Sequence, residues 1–322
     1  MQDDISPGAR FRLAVDHECP LQIVGAVNAM SAKIAEAAGF RCLYLSGAGV
    51  ANASWGIPDL GMTTLDQVTE DARRITAASS LPLLVDCDTG WETTKSVAMT
   101  IQQMESVGVA AVHLEDQLEP KRCGHRPGKR LVSISQMSDR VKSAVDARSD
   151  ADLVIMARTD AAADEGLDAA IDRACRYVDA GADMIFAEAL VSWDEFQKFA
   201  NDVSVPVLAN MTEFGKSPLL TINQLRDAGI RMILYPLTAF RAMNAAAQRA
   251  YTTLRHEGTQ AALLDAMQTR DELYDLLDYH RWEQEIDDRN GNGSNGNGSI
   301  DSDRQQPDGP SSSAPPTSEN SS

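Results

Sequence analysis

Eight short apolar runs, each followed by an amphipathic stretch, recur along this chain at intervals of roughly 30 residues, the length of a βα unit. They are LQIVGA (21–26), CLYLS (42–46), LPLLVD (81–86), AAVHLED (110–116), LVIMAR (153–158), MIFAEA (184–189), VPVLANM (205–211) and RMILYP (231–236). Each is nearly continuous in apolar residues, which predicts parallel strands buried on both faces. The intervening segments, such as NAMSAKIAEAAG (28–39), TLDQVTEDARRITAA (64–78) and GLDAAIDRACRYVDAG (166–181), carry helical periodicity, and several end in glycine, a common helix C-cap. Eight such units within about 250 residues predict an α/β fold, a (β/α)8 TIM-type barrel with extra C-terminal helices. A doubly wound open sheet is the rival, disfavoured because nothing in the sequence signals a second domain.

The barrel is expected over residues 1–289. From Asn290 onward the chain is Gly, Asn, Ser and Pro, with Ile300 as its one large apolar residue. Such a composition buries too little surface to offset chain entropy and predicts a disordered, low-complexity acidic tail over 290–322. Its Asn-Gly-Ser triplets match glycosylation acceptors only by pattern, since a cytoplasmic location is expected: the N-terminus lacks the basic and apolar regions of a secretion signal. Five cysteines at irregular spacings, with no CxxC, fit free thiols in a reducing compartment.

The 322 residues carry a net charge of −18, with 47 acids against 29 bases. This balance argues against nucleic acid, whose phosphates need clustered positive charge, and against an anionic membrane surface. The bases include only seven lysines. Aspartate excess with scarce lysine predicts a halophilic protein, solvated by its own surface charge.

In a barrel, chemistry gathers at the C-terminal ends of strands. Here those ends carry polar residues in succession: Ser46; Asp86 and Asp88; Glu115 and Asp116; Arg158 and Asp160; Glu188; then Asn210, Thr212 and Glu213. Strand ends meet water in any case, but six in a row predict one shared site. Within DCDTG (86–90), Asp86 and Asp88 stand two apart. Adjacent carboxylates repel unless a cation joins them, and Mg2+ accepts oxygen ligands, some through water. A solvated acidic turn is the plainer reading of that segment alone. With Glu115 and Asp59 nearby in a barrel, a Mg2+ site is expected.

The loop EPKRCGHRPGKR (119–130) surrounds Cys123 with bases in an otherwise acidic chain. Lys121, Arg122 and His125 would lower the thiol pKa, and a basic loop with Gly124 and Gly128 as hinges predicts a lid over an anionic substrate. Two other patterns fail. LSGAGVAN (45–52) approaches the dinucleotide fingerprint but has Asn52 at the third glycine, and no helix is expected over the following SWGIPDLG. His113, Cys123 and His125 lack a second cysteine for a tetrahedral zinc site.

KRCGH (121–125), together with YLSGAGVANASWGIPDLGMTTLDQV (44–68), VDCDTG (85–90), HLEDQ (113–117), ARTDA (157–161), LANMTEFG (208–215), LYPLTAFRAMNAA (234–246) and EGTQAALLDAMQTRDELYDLLDY (257–279), resembles the isocitrate lyase and phosphoenolpyruvate mutase superfamily over residues 8 to 285. Within it, the resemblance is closest to the branch that cleaves methylisocitrate. It implies the (β/α)8 fold and a carbon–carbon lyase acting on a small tricarboxylate, with isocitrate or oxaloacetate as alternative substrates. It further implies Mg2+, or Mn2+, held by Asp86 and Asp88 directly and by Asp59 and Glu115 through water. Cys123 would be the acid, with His125 beside it and Tyr44 a candidate base. Ser46, Gly47, Ala48, Gly124, Arg158, Glu188, Asn210, Thr212, Arg241 and Arg270 would bind substrate. Phe186 and Leu234 resemble the apolar pair that accommodates the extra methyl. The sequence departs from the family at Ala48, where glycine is frequent, and at Trp91-Glu92. The resemblance also implies a homo-oligomer, usually a tetramer.

Overall fold

The computed structural model describes residues 5–91, 93–122, 124–125 and 128–292. Of the predicted tail over 290–322, residues 290–292 are instead the end of a helix that begins at Tyr279, and 293–322 lie outside the described residues, as does Cys123. The chain forms two compact units, one through Thr269 and one from Arg270.

The first unit is a closed barrel of eight parallel strands in sequence order, sealed by β1 against β8. The strands are β1 (Leu21–Gly25), β2 (Cys42–Leu45), β3 (Leu83–Asp86), β4 (Ala111–Glu115), β5 (Val154–Thr159), β6 (Met184–Ala187), β7 (Val207–Asn210) and β8 (Met232–Tyr235). Each falls on one of the eight apolar runs. The helices are α1 (Pro7–His17), α2 (Ala29–Ala37), α3 (Leu65–Ala78), α4 (Thr94–Ser106), α5 (Ile134–Ala147), α6 (Leu167–Asp179), α7 (Trp193–Asp202), α8 (Ile222–Asp227) and α9 (Thr238–Glu257). In the second unit, α10 (Arg270–Leu277) and α11 (Tyr279–Asn292) are the C-terminal helices.

The βα connections start their helices with reciprocal caps. Thr64 with Gln67, Thr93 with Ser96, Ser133 with Gln136 and Thr221 with Gln224 each satisfy two backbone donors that a first turn leaves free. The amphipathic faces that follow, Val68, Ala72 and Ile75 on α3 for example, bury against the outside of the barrel. A second apolar cluster fills the inside with Ile23, Leu84, Met156, Met184, Phe186, Leu208, Met232 and Leu234. Phe11 of α1 joins that interior cluster and is fully buried.

Gly25 lies at the β1–β8 seam, where a Cβ would stand 1.8 Å from the Pro236 carbonyl oxygen. That neighbour is backbone and cannot rotate away. Gly25→Ala is therefore expected to cost about 3 kcal/mol, the upper end of overpacking penalties. Urea denaturation of the variant checks this, and a change under about 1 kcal/mol would contradict it.

Candidate active site

The strand ends deliver their polar groups to one cavity of about 760 Å3. Tyr44, Ser46, Ala48, Asp59, Asp86, Glu115, Gly124, His125, Arg158, Glu188, Asn210, Thr212 and Arg241 line it. Gly47 stands just behind, its N–H donating to Asp86 Oδ2 at 3.0 Å. Phe186 and Leu234 supply an apolar wall. Arg270 begins α10 in the second unit and is described only there.

Asp86 closes β3, and its Oδ1 accepts the Asp88 N–H at 3.1 Å. Asp88 has φ of 46°, a left-handed turn that brings its carboxylate back toward Asp86. Asp86, Asp88 and Glu115 each offer an oxygen within 4.8 Å of the others, all buried. Glu115 Oε1 has no hydrogen-bond donor, and Asp88 Oδ1 meets only the Lys121 ammonium. Gly47 leaves room beside them, since a Cβ there would lie 3.1 Å from Asp86 Oδ2. Buried, converging carboxylate oxygens fit a hard dication. Burial, with Asp86 and Asp59, pushes the Asp88 carboxyl up to about 7 despite Lys121, and burial raises Glu115 as well.

Arg158 stands in register beside Glu115 on β4 and Phe186 on β6. Its guanidinium reaches Asp160 at 2.9 Å, Glu188 at 3.3 Å and Glu115 at 3.4 Å, with the Phe186 ring centroid at 5.1 Å. Burial works against a charge on Glu188, yet Arg158, His125 and Lys129 outweigh it and bring that carboxyl down to about 2. Asn210 donates to Glu188 Oε2 at 3.3 Å.

The loop over 119–130 departs in one respect from the expectation that its bases face an anion. Lys121 Nζ lies 2.5 Å from Asp59 and 2.9 Å from Asp88. Lys129 Nζ donates to the Gly124 carbonyl at 2.6 Å and pairs with Asp160 at 3.0 Å. Both ammonium groups are thus committed to protein oxygens. The physical reason is burial: an ammonium nine-tenths or more enclosed needs carboxylate partners.

Sequence reasoning also missed what holds Asp160. Asp116, fully buried, accepts from the Asp160 N–H at 2.9 Å, from Thr159 Oγ1 at 2.8 Å and from the Tyr177 hydroxyl at 2.9 Å. The one available hint was lysine scarcity, two of seven lying in one short loop.

Deeper in the barrel, Tyr44 OH lies 2.9 Å from His113 Nε2, and His113 stacks on Tyr44 and meets Phe186 edge to face. Burial, reinforced by Asp86, pushes the Tyr44 phenol up, so it holds its proton. Burial, with Arg158 and Lys121, lowers His113 from 6.5 to about 4 in spite of Asp86 and Glu188. At the rim, Arg241 pairs with Glu213 at 3.4 Å and lies over the exposed Phe214 ring.

Two buried groups act against each other in the acid range of the metal-free protein. Between about pH 6.5 and 4 the unfolded chain protonates His113 while the native state declines the proton, so this group's contribution falls as pH drops. Asp88 has the opposite sign: its carboxyl, raised from 3.8 to about 7, takes up a proton in the native state first, so its contribution rises as pH drops over that range, and Glu115 acts in the same sense. Removing the Asp88 carboxyl in Asp88→Asn is therefore expected to make stability fall between about pH 7 and 4.5 more steeply than in the parent, by ~3 kcal/mol in urea titrations. Equal pH slopes for the two proteins would contradict the assignment.

A closed parallel barrel with acidic, basic and apolar groups converging at its C-terminal mouth defines a TIM-barrel enzyme scaffold. Residues 11–255 match the phosphoenolpyruvate phosphomutase family. The chain is 55% identical over 283 residues to the 2-methylisocitrate lyase of Salmonella typhimurium, covering 88% of this chain and 96% of that one. The solved 2,3-dimethylmalate lyase is similar at a TM-score of 0.82 and 32% identity, over 92% and 99% of the two chains. Oxaloacetate acetylhydrolase with 3,3-difluorooxalacetate matches at 0.82 and 30%, over 89% and 97%. The chain belongs to the phosphoenolpyruvate mutase/isocitrate lyase superfamily.

Proposed function

We propose that this chain is a Mg2+-dependent lyase that cleaves 2-methylisocitrate to pyruvate and succinate. The observation that carries the geometry is one cavity joining Asp86 and Glu115 of the carboxylate triad to Arg158, Glu188 and the apolar Phe186–Leu234 wall. Its relative named 2-methylisocitrate lyase supports the choice of substrate. Asp86 and Asp88 would hold the dication, with Glu115 and Asp59 through water, and Mn2+ can take the same oxygens. When bound, the ion supplies Lewis-acid polarisation of substrate oxygens.

Ser46, the Gly47–Ala48 backbone, Gly124, Asn210, Thr212 and Arg241 are proposed to orient the carboxylates. Tyr44 is the proposed base for the hydroxyl proton, which it would take as the phenolate. The bond between the hydroxyl-bearing carbon and its neighbour then breaks, giving the keto group of pyruvate and an aci-carboxylate of succinate. Arg158 and His125 face that developing charge. Cys123, outside the described residues, is the proposed acid that protonates the carbon.

Incubation with 2-methylisocitrate and Mg2+ in molar KCl is expected to release pyruvate, abolished by chelator. Glyoxylate from isocitrate without pyruvate would replace this substrate with isocitrate. The likeness to oxaloacetate acetylhydrolase makes oxaloacetate, assayed as oxalate, the second reading.

No helix among the described residues is long and apolar enough to cross a membrane. A cytoplasmic, salt-adapted homotetramer is proposed. In support, no residue of α9 is buried, and Tyr251 and Leu254 are exposed on it. A second copy would cover that face, and light scattering would read the mass.

A further inference from the structure

His125 is held from both sides of its ring. Its Nδ1 accepts the Lys216 backbone N–H at 2.9 Å, and its Nε2 lies 2.9 Å from Glu188 Oε1. A peptide N–H only donates, so the ring nitrogen facing it presents a lone pair. In a singly protonated imidazole the proton then sits on the other nitrogen, here the one facing a carboxylate. Glu188 is kept ionised by Arg158 and so favours a proton there. Both flanking groups therefore select the same form of the ring.

Space for this arrangement comes from Gly215. A Cβ at that position would lie 2.8 Å from His125 Nδ1 and 2.9 Å from Cε1. Gly215 does not have a left-handed φ, so what the position requires is room for the imidazole.

We infer that the Gly215–Lys216 backbone is a positioning element that fixes His125 as the neutral Nε2–H tautomer. His125 then works as a neutral donor whose single ring proton lies beside Glu188, unspent on a hydrogen bond, and goes during reaction to an incoming carboxylate oxygen. A second ring proton, on Nδ1, would face the Lys216 N–H donor to donor at hydrogen-bond distance. Lys216 contributes through its main chain, which makes its side-chain identity secondary. The inference deepens the proposed reading of this cavity as the substrate site and rests on it for the role in turnover.

Neutron diffraction from deuterated crystals of the full chain near pH 7 reads the ring without turnover. Deuterium on His125 Nε2 alone is expected, and deuterium on Nδ1 would overturn the inference. Kinetics give a second, separate test. His125→Gln retains a neutral N–H donor near the Nε2 position and is expected to keep turnover within about 30-fold of the parent, against a loss of ~1,000-fold for His125→Ala. Glutamine as inactive as alanine would show that a neutral donor is insufficient. Gly215→Ala should lower kcat at least about 10-fold. Equal kcat for Gly215→Ala and the parent would remove the backbone from the argument. Should the parent release no pyruvate, the functional reading fails while the diffraction result still decides the tautomer.

Discussion

Replacing Arg158 by methionine is expected to cost about 3–5 kcal/mol of stability and at least ~1,000-fold in pyruvate formation. One guanidinium serves Asp160, Glu188 and Glu115 at once, from a side chain only 9% exposed. Methionine preserves much of the packing against Phe186 but leaves Glu188 to His125 and Asn210, and Asp160 to Lys129. A buried carboxylate that loses its cation either pays for the exposed charge or takes up a proton, and both loosen the mouth. Lysine is expected to rescue little, because a single point charge cannot occupy three directions. Urea denaturation and the pyruvate assay measure the two effects, and a variant within about 1 kcal/mol of the parent would show that the three contacts are not coupled.

Asp88→Asn is expected to separate stability from activity. Asn tolerates the left-handed backbone at this position. The change removes a carboxyl that burial and its acidic neighbours already push up to about 7. Without metal, the variant should be as stable as the parent or more so by up to ~1 kcal/mol, the trade-off typical of functional sites. Its Mn2+ affinity should fall at least about 100-fold and turnover by ~1,000-fold, because the triad loses an anionic ligand. Equilibrium dialysis with Mn2+ reads the affinity. Undiminished binding would move the ion away from this triad.

The barrel was legible because parallel strands buried on both faces are written as continuous apolar runs, and all eight fall within two residues of the expected ends. The polar strand ends were legible for the same geometric reason: each lies within two residues of the end of a run. Lys121, Lys129, Asp116 and Asp160 were legible only as charges. Their pairing depends on partners 31 to 62 residues away, as for Lys129 with Asp160 and Lys121 with Asp59. Local spacing carries no trace of such contacts, so the loop's bases read as a surface for an anion, while two of them are internal counter-ions. The contact that orients His125 was hidden for a related reason: its donor is a peptide N–H, common to nearly every residue.

The inward commitment of Lys121, Lys129 and Arg158 bears on the order in which ligands arrive. A multiply charged anion that reaches the mouth first meets cations already neutralised and a carboxylate triad that repels it. A dication that arrives first satisfies those oxygens, offsets the repulsion and competes with Lys121 for Asp88. Charge placement alone therefore favours a sequential encounter, ion before acid.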